Sequence, residues 1–220
     1  MSALARPPPE MTGWETQLRI AMDAILPLAP LLQQIKAFNQ LDKRVAITIS
    51  EEVLDGTWDA LIAGRCDLTL GASGDIPKGI FEHKLIDDVE FVFAVARGHP
   101  LCLHKEPVDA AAISAFPTIV MADSSLSVPA RSSGLLESRQ IIRVANAAAK
   151  IHAQVMGVCV GFLPTHLIQH EIQQGDLVVL NCTVPRPNIP LYLAWYKGNQ
   201  GKALHWFIES CSSSSWLNLH

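Results

Sequence analysis

The sequence is short of charged residues and of long apolar runs. Only 17% of its 220 residues are Asp, Glu, Lys or Arg, whereas 49% are hydrophobic. A disordered chain is therefore excluded, because such chains combine low hydrophobicity with high net charge. No apolar stretch approaches the roughly 18 uninterrupted residues that a membrane-spanning helix needs. The apolar residues consequently indicate buried strands and helices in one large domain or two smaller ones.

The sequence also lacks a basic surplus and any Cys-x-x-Cys pair. Its 17 Lys and Arg are outnumbered by 21 Asp and Glu, which gives a net charge of -4. The chain is thus a poor candidate for binding nucleic acid by itself, because phosphate contacts require cationic groups. Its five cysteines are widely spaced, which favours reduced, buried thiols over disulfides or a zinc site. The first 13 residues hold three successive prolines and no apolar signal-peptide core, so we expect a stiff leader and a cytoplasmic protein.

Strand-like and helix-like segments alternate along the chain. Apolar residues recur at helical spacing from Leu28 to Phe38, between β-branched strand-like runs. A second alternating block follows at residues 95–193, with helices predicted around Val108 to Ala115 and from Pro164 to Gln174. A last strand and helix remain after this block. Alternation with short connections is typical of α/β proteins with parallel, doubly wound sheets.

We therefore predict an α/β fold of two Rossmann-like lobes joined by two crossover strands. Lobe I comprises residues 14–94 together with 194–211, and lobe II comprises residues 95–193. Residues 1–13 form a leader or linker remnant, and residues 212–220 a frayed tail. We infer that the last strand and helix return to lobe I, because they remain after both alternating blocks are complete. Two crossings with a cleft between the lobes suit hinge closure on a small ligand.

Five motifs follow one another along the chain. They are G-W-E-T-Q-L-R-I at residues 13–20, the helix that begins at Leu28, L-x-x-G-x-x-D-L-x-L-G within residues 56–71, G-H-P-L at residues 98–101 and G-V-C-V-G-F-L-P at residues 157–164. In this order and spacing, the motifs resemble the effector-binding domain of the LysR-type transcriptional regulators. The resemblance runs from Trp14 to about Cys211.

The resemblance implies a type 2 periplasmic-binding-protein-like fold that senses a small-molecule effector in the cleft between its lobes. It also implies a DNA-binding winged helix-turn-helix and a linker helix, which we expect outside this chain, because the leader has neither their length nor their periodicity. A homodimer is implied as well, or a tetramer in the full-length protein. The helix at residues 28–38 and the strand at residues 45–49 are the expected dimer surfaces.

Ligands of open α/β sheets bind beyond the carboxyl ends of parallel strands. The residues predicted to bind the effector there are Met22, Asp23, Ala24, Ser50, Glu51, Ser73, Asp123, Ser124, Ser125, Arg131, Asn146 and Phe162. Family members that sense simple carboxylates commonly place Ser or Thr after the first strand, where this chain has Met22 and Asp23. An unpaired carboxylate repels an anionic effector. Arg131 is expected to balance a carboxylate or to bind an anionic corner of the ligand.

We therefore expect a donor-rich, neutral or weakly charged effector such as a purine or ureide. The segments at residues 56–61 and 162–166 also resemble a subgroup that includes activators of purine transport and allantoin utilisation.

Several candidate residues also have ordinary structural interpretations. Asp23 is a suitable N-cap for the helix that follows it, and Ser124 and Ser125 are common turn residues. Trp58 and Phe162 are more typical of a core than of a ligand-stacking surface.

Two residue pairs resemble chemical sites but are better explained otherwise. Glu51 and Glu52 are adjacent on a strand, so their side chains point to opposite faces and do not share an acid/base site. His166 and His170 have the i, i+4 spacing of a metal pair, but no third ligand is evident, and a solvated helix face is favoured. We predict no metal site.

Two other function classes remain as alternatives. A solute-binding protein of a transporter would share the cleft but requires an export signal. An enzyme on the same scaffold would need an acid/base pair in the cleft, for which only Asp23, Glu51 and Asp123 are available. No G-x-S-x-G or phosphate-binding loop occurs. We therefore predict no catalytic residue and no cofactor.

Overall fold

A computed structural model describes residues 14–131 and 136–217, so the leader predicted at residues 1–13 lies outside the described residues. Short 3-10 helices occur at Pro100–Leu103 and Thr165–Leu167. The other elements, in chain order, are β1 (Gln17–Asp23), α1 (Leu28–Asn39), β2 (Ala46–Glu52), α2 (Gly56–Ile62), β3 (Leu68–Ala72), β4 (Phe81–Val89), β5 (Phe91–Ala96), α3 (Ala110–Ser114), β6 (Thr118–Met121), β7 (Ile141–Val144), α4 (Ala147–Val155), β8 (Gly161–Pro164), α5 (Gln169–Gln174), β9 (Leu177–Val179), β10 (Ile189–Tyr196) and α6 (Lys202–Ser212). No helix within the described ranges has the length and apolarity to cross a membrane.

The first sheet contains five strands in the order β2-β1-β3-β10-β4. Strand β1 pairs in parallel with β2 and β3, and helices α1 and α2 connect these strands. Strand β10 lies antiparallel between β3 and β4. The late strand therefore returns to the first sheet. We call this sheet and its helices lobe I.

The second sheet repeats this arrangement in two pieces. Strands β8-β5-β9 form an antiparallel piece, and β6 and β7 form a parallel pair. A parallel bridge between Thr118 and Val160 joins the pieces, and the Ile119 amide donates to the Val160 carbonyl at 3.2 Å. The joint order β7-β6-β8-β5-β9 has the same pattern of directions as the first sheet. We call this unit lobe II.

The chain crosses between the lobes twice. Strand β4 ends at Val89 in lobe I and β5 begins at Phe91 in lobe II, so only Glu90 separates them. The return crossing occupies residues 180–188, before β10. The boundaries predicted after residues 94 and 193 fall inside β5 and β10. Since each strand pairs within one sheet, we place both boundaries ahead of these strands.

The core of lobe I includes residues that the sequence places in a frayed tail. Helix α6 extends to Ser212, and Trp216 is fully buried in the cluster that contains Phe38 and Phe207. The Trp216 indole N–H donates to the Cys211 carbonyl at 3.0 Å. Because a large aromatic side chain is buried there, the chain packs against lobe I as far as residue 217, and residues 218–220 lie outside the described part.

Lobe II has shorter helices than the sequence predicts. Val108 forms a bridge with Cys182, and Asp109 caps α3 by accepting from the Ala112 amide at 2.7 Å, so the helix begins only after Asp109. The helix predicted from Pro164 is a 3-10 turn followed by α5, because Pro164 still belongs to β8. Between β6 and β7, residues 122–131 form a loop without a helix, which we call the cleft loop.

Candidate functional site

The cleft loop of lobe II lies against the carboxyl ends of the lobe I strands. Its first anchor is Asp59, a fully buried carboxylate on α2. Asp59 accepts from the backbone N–H groups of Leu126 at 3.1 Å and Ser127 at 3.0 Å, and from the Ser127 hydroxyl. Arg65 Nη2 donates to the same carboxylate at 2.6 Å. Burial favours a higher pKa, but the hydrogen bonds from Ser127, Leu126 and Arg65 outweigh it and lower the pKa of Asp59 to about 2.

The second anchor of the cleft loop is Ser124. Its hydroxyl donates to Glu52 Oε2 at 2.6 Å and accepts from the Val53 amide at 2.9 Å. The other carboxylate oxygen of Glu52 pairs with Arg65 Nη1 at 2.9 Å. A Cβ atom at Gly56 would overlap the Ser124 hydroxyl. Glycine at the start of α2 therefore permits this close approach between the lobes.

The third contact is made by Arg131, at the end of the described cleft loop. Its backbone N–H donates to Asp123 Oδ2 at 2.6 Å, which fixes the loop around it. Its Nη2 donates to Ser73 Oγ at 3.0 Å, and its Nε lies 3.2 Å from Asp55 Oδ1. A Cβ atom at Gly74 would overlap Nη1. A guanidinium from lobe II thus occupies a recess of lobe I, which we call the Asp55 recess (Asp55, Ser73 and Gly74).

A cavity of about 390 Å³ adjoins this guanidinium. Both lobes line it, through Asp55, Trp58, Gly74, Asp75, Pro77, Val128 and Arg131. Its volume lies in the range of small-molecule sites, roughly 300–1,000 Å³. Another cavity, of about 520 Å³, is lined by residues 104–109 and Ala112 of lobe II alone. The cavity beside Arg131 is therefore the candidate ligand site, because it lies between the lobes at the strand ends.

Asp23 is a second buried carboxylate at this edge. Its Oδ1 accepts from the Ile25 amide at 2.9 Å, and the Leu54 N–H also donates to it. Leu54 has φ 56°, a left-handed backbone that is costly for a residue other than glycine and is found at functional sites. Burial raises the pKa of Asp23 to about 7, against the opposing effect of these hydrogen bonds and of Arg131.

Comparison with known proteins decides the family of this chain. Residues 12–215 match the family model described as the LysR substrate binding domain. The chain belongs to the LysR family. The family resemblance and the type 2 periplasmic-binding-protein-like α/β fold predicted from the sequence are thereby confirmed.

Two curated relatives of this LysR domain come from Escherichia coli K12. The uncharacterised HTH-type transcriptional regulator YeeY is 31% identical over 204 residues, which cover 92% of this chain and 66% of YeeY. The HTH-type transcriptional regulator PunR is 30% identical over 207 residues, covering 94% and 67%. The chain thus spans about two thirds of the length of these relatives. Full-length LysG from Corynebacterium glutamicum with bound effector Arg superposes with a TM-score of 0.69 at 14% identity, over 92% of this chain and 69% of LysG.

The cleft of this LysR domain brings together only half of the predicted ligand residues. Those at the contact between the cleft loop and the lobe I strand ends are Asp23, Ser73, Asp123, Ser124, Ser125 and Arg131. Asp123 accepts from the Ser125 and Arg131 amides, so it organises the loop. The interpretation of Asp23 as an N-cap is wrong, because it bonds to Ile25 and no side chain caps α1.

The other predicted residues of the LysR domain make structural contacts or are exposed on β2. Met22 is in the lobe I core, and Phe162 packs on Phe93 of lobe II with ring centroids 5.6 Å apart. The Ala24 amide bonds to the Glu52 carbonyl at 2.8 Å. Ser50 and Glu51 are exposed on the edge strand β2, and Asn146 caps α4 through the Ala149 amide at 2.8 Å. Glu52, the neighbour of Glu51 on the opposite strand face, points inward instead.

Sequence reasoning missed the carboxylates of α2, although a signal for them exists. Asp59 lies among buried residues within α2, and a charged side chain on an apolar helix face needs partners. Asp55 precedes the helix and faces the cavity. Their partners come from the cleft loop, which has no periodicity to reveal its position.

His166 is half-buried and contacts the other lobe. Its Nε2 lies 2.8 Å from the Ile25 carbonyl oxygen, so Nε2 is the donor. Burial lowers the pKa of His166. The solvated helix face predicted for His166 and His170 is thus wrong for His166, which precedes α5 in a 3-10 turn. Within the described residues, no three His, Cys, Asp or Glu side chains are grouped as metal ligands.

Proposed function

We propose that this LysR domain senses a small-molecule effector bound in the cavity between Asp55, Asp75 and Arg131. The observation that carries the proposal is that both lobes line this cavity at the carboxyl ends of the lobe I strands. A molecule bound there contacts both lobes and therefore favours their closed arrangement. The DNA-binding function belongs to a part of the regulator outside this chain, and we place the whole regulator in the cytoplasm.

The charges around the cavity favour an effector rich in N–H donors. Asp55 and Asp75 supply carboxylate oxygens, and Arg131 supplies the one guanidinium of the lining. Burial raises the pKa of Asp55, Arg131 opposes this, and Asp123 and Asp75 add to it. A simple dicarboxylate would add negative charge to this surplus. A purine or ureide instead presents N–H groups to the carboxylates and a carbonyl or ring nitrogen to a donor.

Calorimetry with matched ligands tests this proposal. We expect nucleobases, nucleosides or ureides to bind the domain, and Asp55→Asn to weaken binding about tenfold, the loss of one charge-assisted hydrogen bond. Asp176→Asn is the control, because Asp176 is exposed in lobe II. Tight binding of dicarboxylates without any response to purines or ureides would contradict the proposal.

We propose that the domain also forms a homodimer through α1 and β2. Helix α1 buries Leu31 and Phe38 in the core but leaves Leu28 46% and Leu32 49% exposed, and Ile49 of β2 is 37% exposed. Adjacent exposed apolar side chains mark association surfaces. Size-exclusion chromatography with light scattering should show a dimer that Leu32→Glu dissociates, whereas a strict monomer at high concentration would contradict this part of the proposal.

We further propose that the domain is not an enzyme. The curated relatives are transcriptional regulators. Of the carboxylates that an acid/base mechanism could use, Glu51 is exposed, Asp123 holds two backbone N–H groups of its own loop, and Asp23 accepts from backbone N–H groups. After prolonged incubation with the domain, we expect the effector to be recovered unchanged. Turnover of the effector that the Asp23→Asn substitution abolishes would contradict this part of the proposal.

A further inference from the structure

The Asp55 recess has the geometry of a binding site for a flat N–H donor group. Ser73 Oγ accepts from Arg131 Nη2 at 3.0 Å, and Asp55 Oδ1 lies 3.2 Å from Nε. Gly74 leaves no side chain where Nη1 lies. A planar guanidinium offers N–H groups at fixed angles to such acceptors. The recess is formed by lobe I alone, whereas the group that occupies it comes from lobe II.

The guanidinium is imperfectly held in this recess. The buried Nε of Arg131 has no hydrogen bond of acceptable geometry, although Asp55 lies close to it. A buried donor without a well-aligned acceptor has lost its hydration and gained no hydrogen bond in exchange. The side chain of Arg131 also keeps 30% of its surface exposed. Arg131 is therefore a weak occupant that a better-matched donor group can replace.

The charge around the recess exceeds what one arginine neutralises. Asp23, Asp55 and Asp123 interact electrostatically with one another or with Arg131, and Asp75 adds to Asp55. Of the other arginines near this edge, Arg65 is already paired with Glu52 and Asp59. Arg186 lies close enough to Arg131 for the two like charges to interact. The recess thus retains a demand for N–H donors.

We propose that Arg131 is an internal ligand of the Asp55 recess, and that the effector carries an amidine-, guanidine- or ureide-like N–H group that displaces it. This inference rests on the proposed function, because it concerns the ligand of the same cavity. Displacement releases the Arg131 end of the cleft loop, while Ser124 and Asp59 still hold its middle. The effector binds only those molecules in which Arg131 has left the recess. Its apparent affinity is therefore its intrinsic affinity multiplied by the fraction of such molecules.

Chemical rescue tests the internal ligand directly. Arg131→Ala empties the recess, and we expect methylguanidinium at millimolar concentration to bind this variant about tenfold more tightly than the unaltered chain. Binding is followed by saturable NMR shifts of the Ser73 and Gly74 amides and by recovery of thermal stability. Tetramethylammonium at equal ionic strength is the control cation, since it has no N–H groups. Arg131→Ala combined with Asp55→Asn should bind neither cation.

A second variant and a measurement on the unaltered chain keep the test decisive. Arg131→Gln serves in the same experiments if Arg131→Ala does not fold. In the unaltered chain, a saturating ureide or purine should speed hydrogen exchange of the Arg131 amide, which bonds to Asp123, more than that of the Leu126 and Ser127 amides, which bond to Asp59. Unchanged or slower exchange at Arg131 would contradict displacement.

The outcomes separate this inference from the proposed function. Methylguanidinium that binds the Arg131 variants no better than the unaltered chain overturns the internal ligand. A different outcome is that purines or ureides bind and that both Asp55→Asn and the Arg131 variants weaken this binding. The cavity is then the effector site, but Arg131 is a ligand contact. If methylguanidinium rescue succeeds while no purine or ureide binds, the recess is correct and the proposed effector class is wrong.

Discussion

Replacing Asp59 by Asn tests whether a buried carboxylate of α2 holds the lobes together. Asp59 receives two backbone N–H groups and a hydroxyl from the cleft loop, besides one guanidinium N–H from Arg65. An Asn side chain has one acceptor oxygen in place of two, and its NH₂ group faces donors that it cannot satisfy. Arg65 keeps Glu52 as a partner in the variant, so its charge is not left alone.

The Asp59→Asn substitution is expected to remove a few hydrogen bonds to a charged group. At neutral pH the variant should lose about 2–4 kcal/mol of unfolding free energy, because each such bond contributes roughly 1.5–3 kcal/mol and some are retained. For a chain of this size, that loss corresponds to a fall in melting temperature of about 5–15 °C.

The pH dependence gives an independent estimate with a fixed sign. The pKa of Asp59 is lowered from 3.8 to about 2, so the ionised carboxylate stabilises the folded state by about 2 kcal/mol. This contribution is fully present above the unfolded pKa and is lost as the pH falls through the folded pKa. The stability difference between the two proteins should therefore be constant from pH 7 to about pH 5 and should narrow towards pH 2.

Urea unfolding and a double-mutant cycle with Ser127→Ala provide the assay. Because the Ser127 hydroxyl donates to Asp59, the two substitutions should couple by about 0.5–3 kcal/mol. Asp176→Asn is the matched control, with no expected coupling to Ser127→Ala. Additive effects within about 0.3 kcal/mol, or a variant as stable as the unaltered chain at pH 7, would refute the reasoning that this carboxylate anchors the loop.

Two further predictions concern buried titratable groups. Burial raises the pKa of Asp23 from 3.8 to about 7, so the unaltered chain loses stability as the pH rises between these values. Urea unfolding should therefore show Asp23→Asn to be the more stable protein at pH 8, by up to about 4 kcal/mol. At pH 4 this advantage of the variant should be lost. Burial likewise raises the thiol pKa of Cys66 and Cys211 to about 12 and that of Cys159 to about 11. Iodoacetamide at pH 8 should therefore alkylate the half-buried Cys102 before these three thiols, as followed by peptide mapping. Equal labelling of all four cysteines in the folded chain would contradict this packing.

The fold was predictable because its signals are local. Helix α1 repeats its apolar residues at helical spacing, and the L-x-x-G-x-x-D-L-x-L-G motif spans the turn between α2 and β3. Errors arose where tertiary contacts override local pattern. The pairing of Val108 with Cys182 shortens α3, and burial of Trp216 orders a serine-rich tail that has no helical periodicity.

The site was only partly predictable because its partners are distant in sequence. The rule that ligands bind at strand ends selected Asp23, Ser73 and Arg131, which lie at the contact between the lobes. It also selected Glu51 in place of Glu52, since the strand pattern of β2 does not reveal which face meets lobe II. Burial of Glu52 follows from contacts with Ser124, which lies 72 positions further along the chain.

Helix α2 links the two halves of this site. Asp55 and Asp59 are four residues apart, so they lie on one side of the helix start, where two like charges repel each other. Each is balanced by the cleft loop, Asp59 by the Leu126 and Ser127 N–H groups and Asp55 by Arg131. A group that replaces Arg131 on Asp55 therefore changes one end of a loop whose Leu126 and Ser127 contacts stay on the same helix. In the function proposed above, the effector site and the contact between the lobes both include helix α2, which lets a bound ligand change the relation between the lobes.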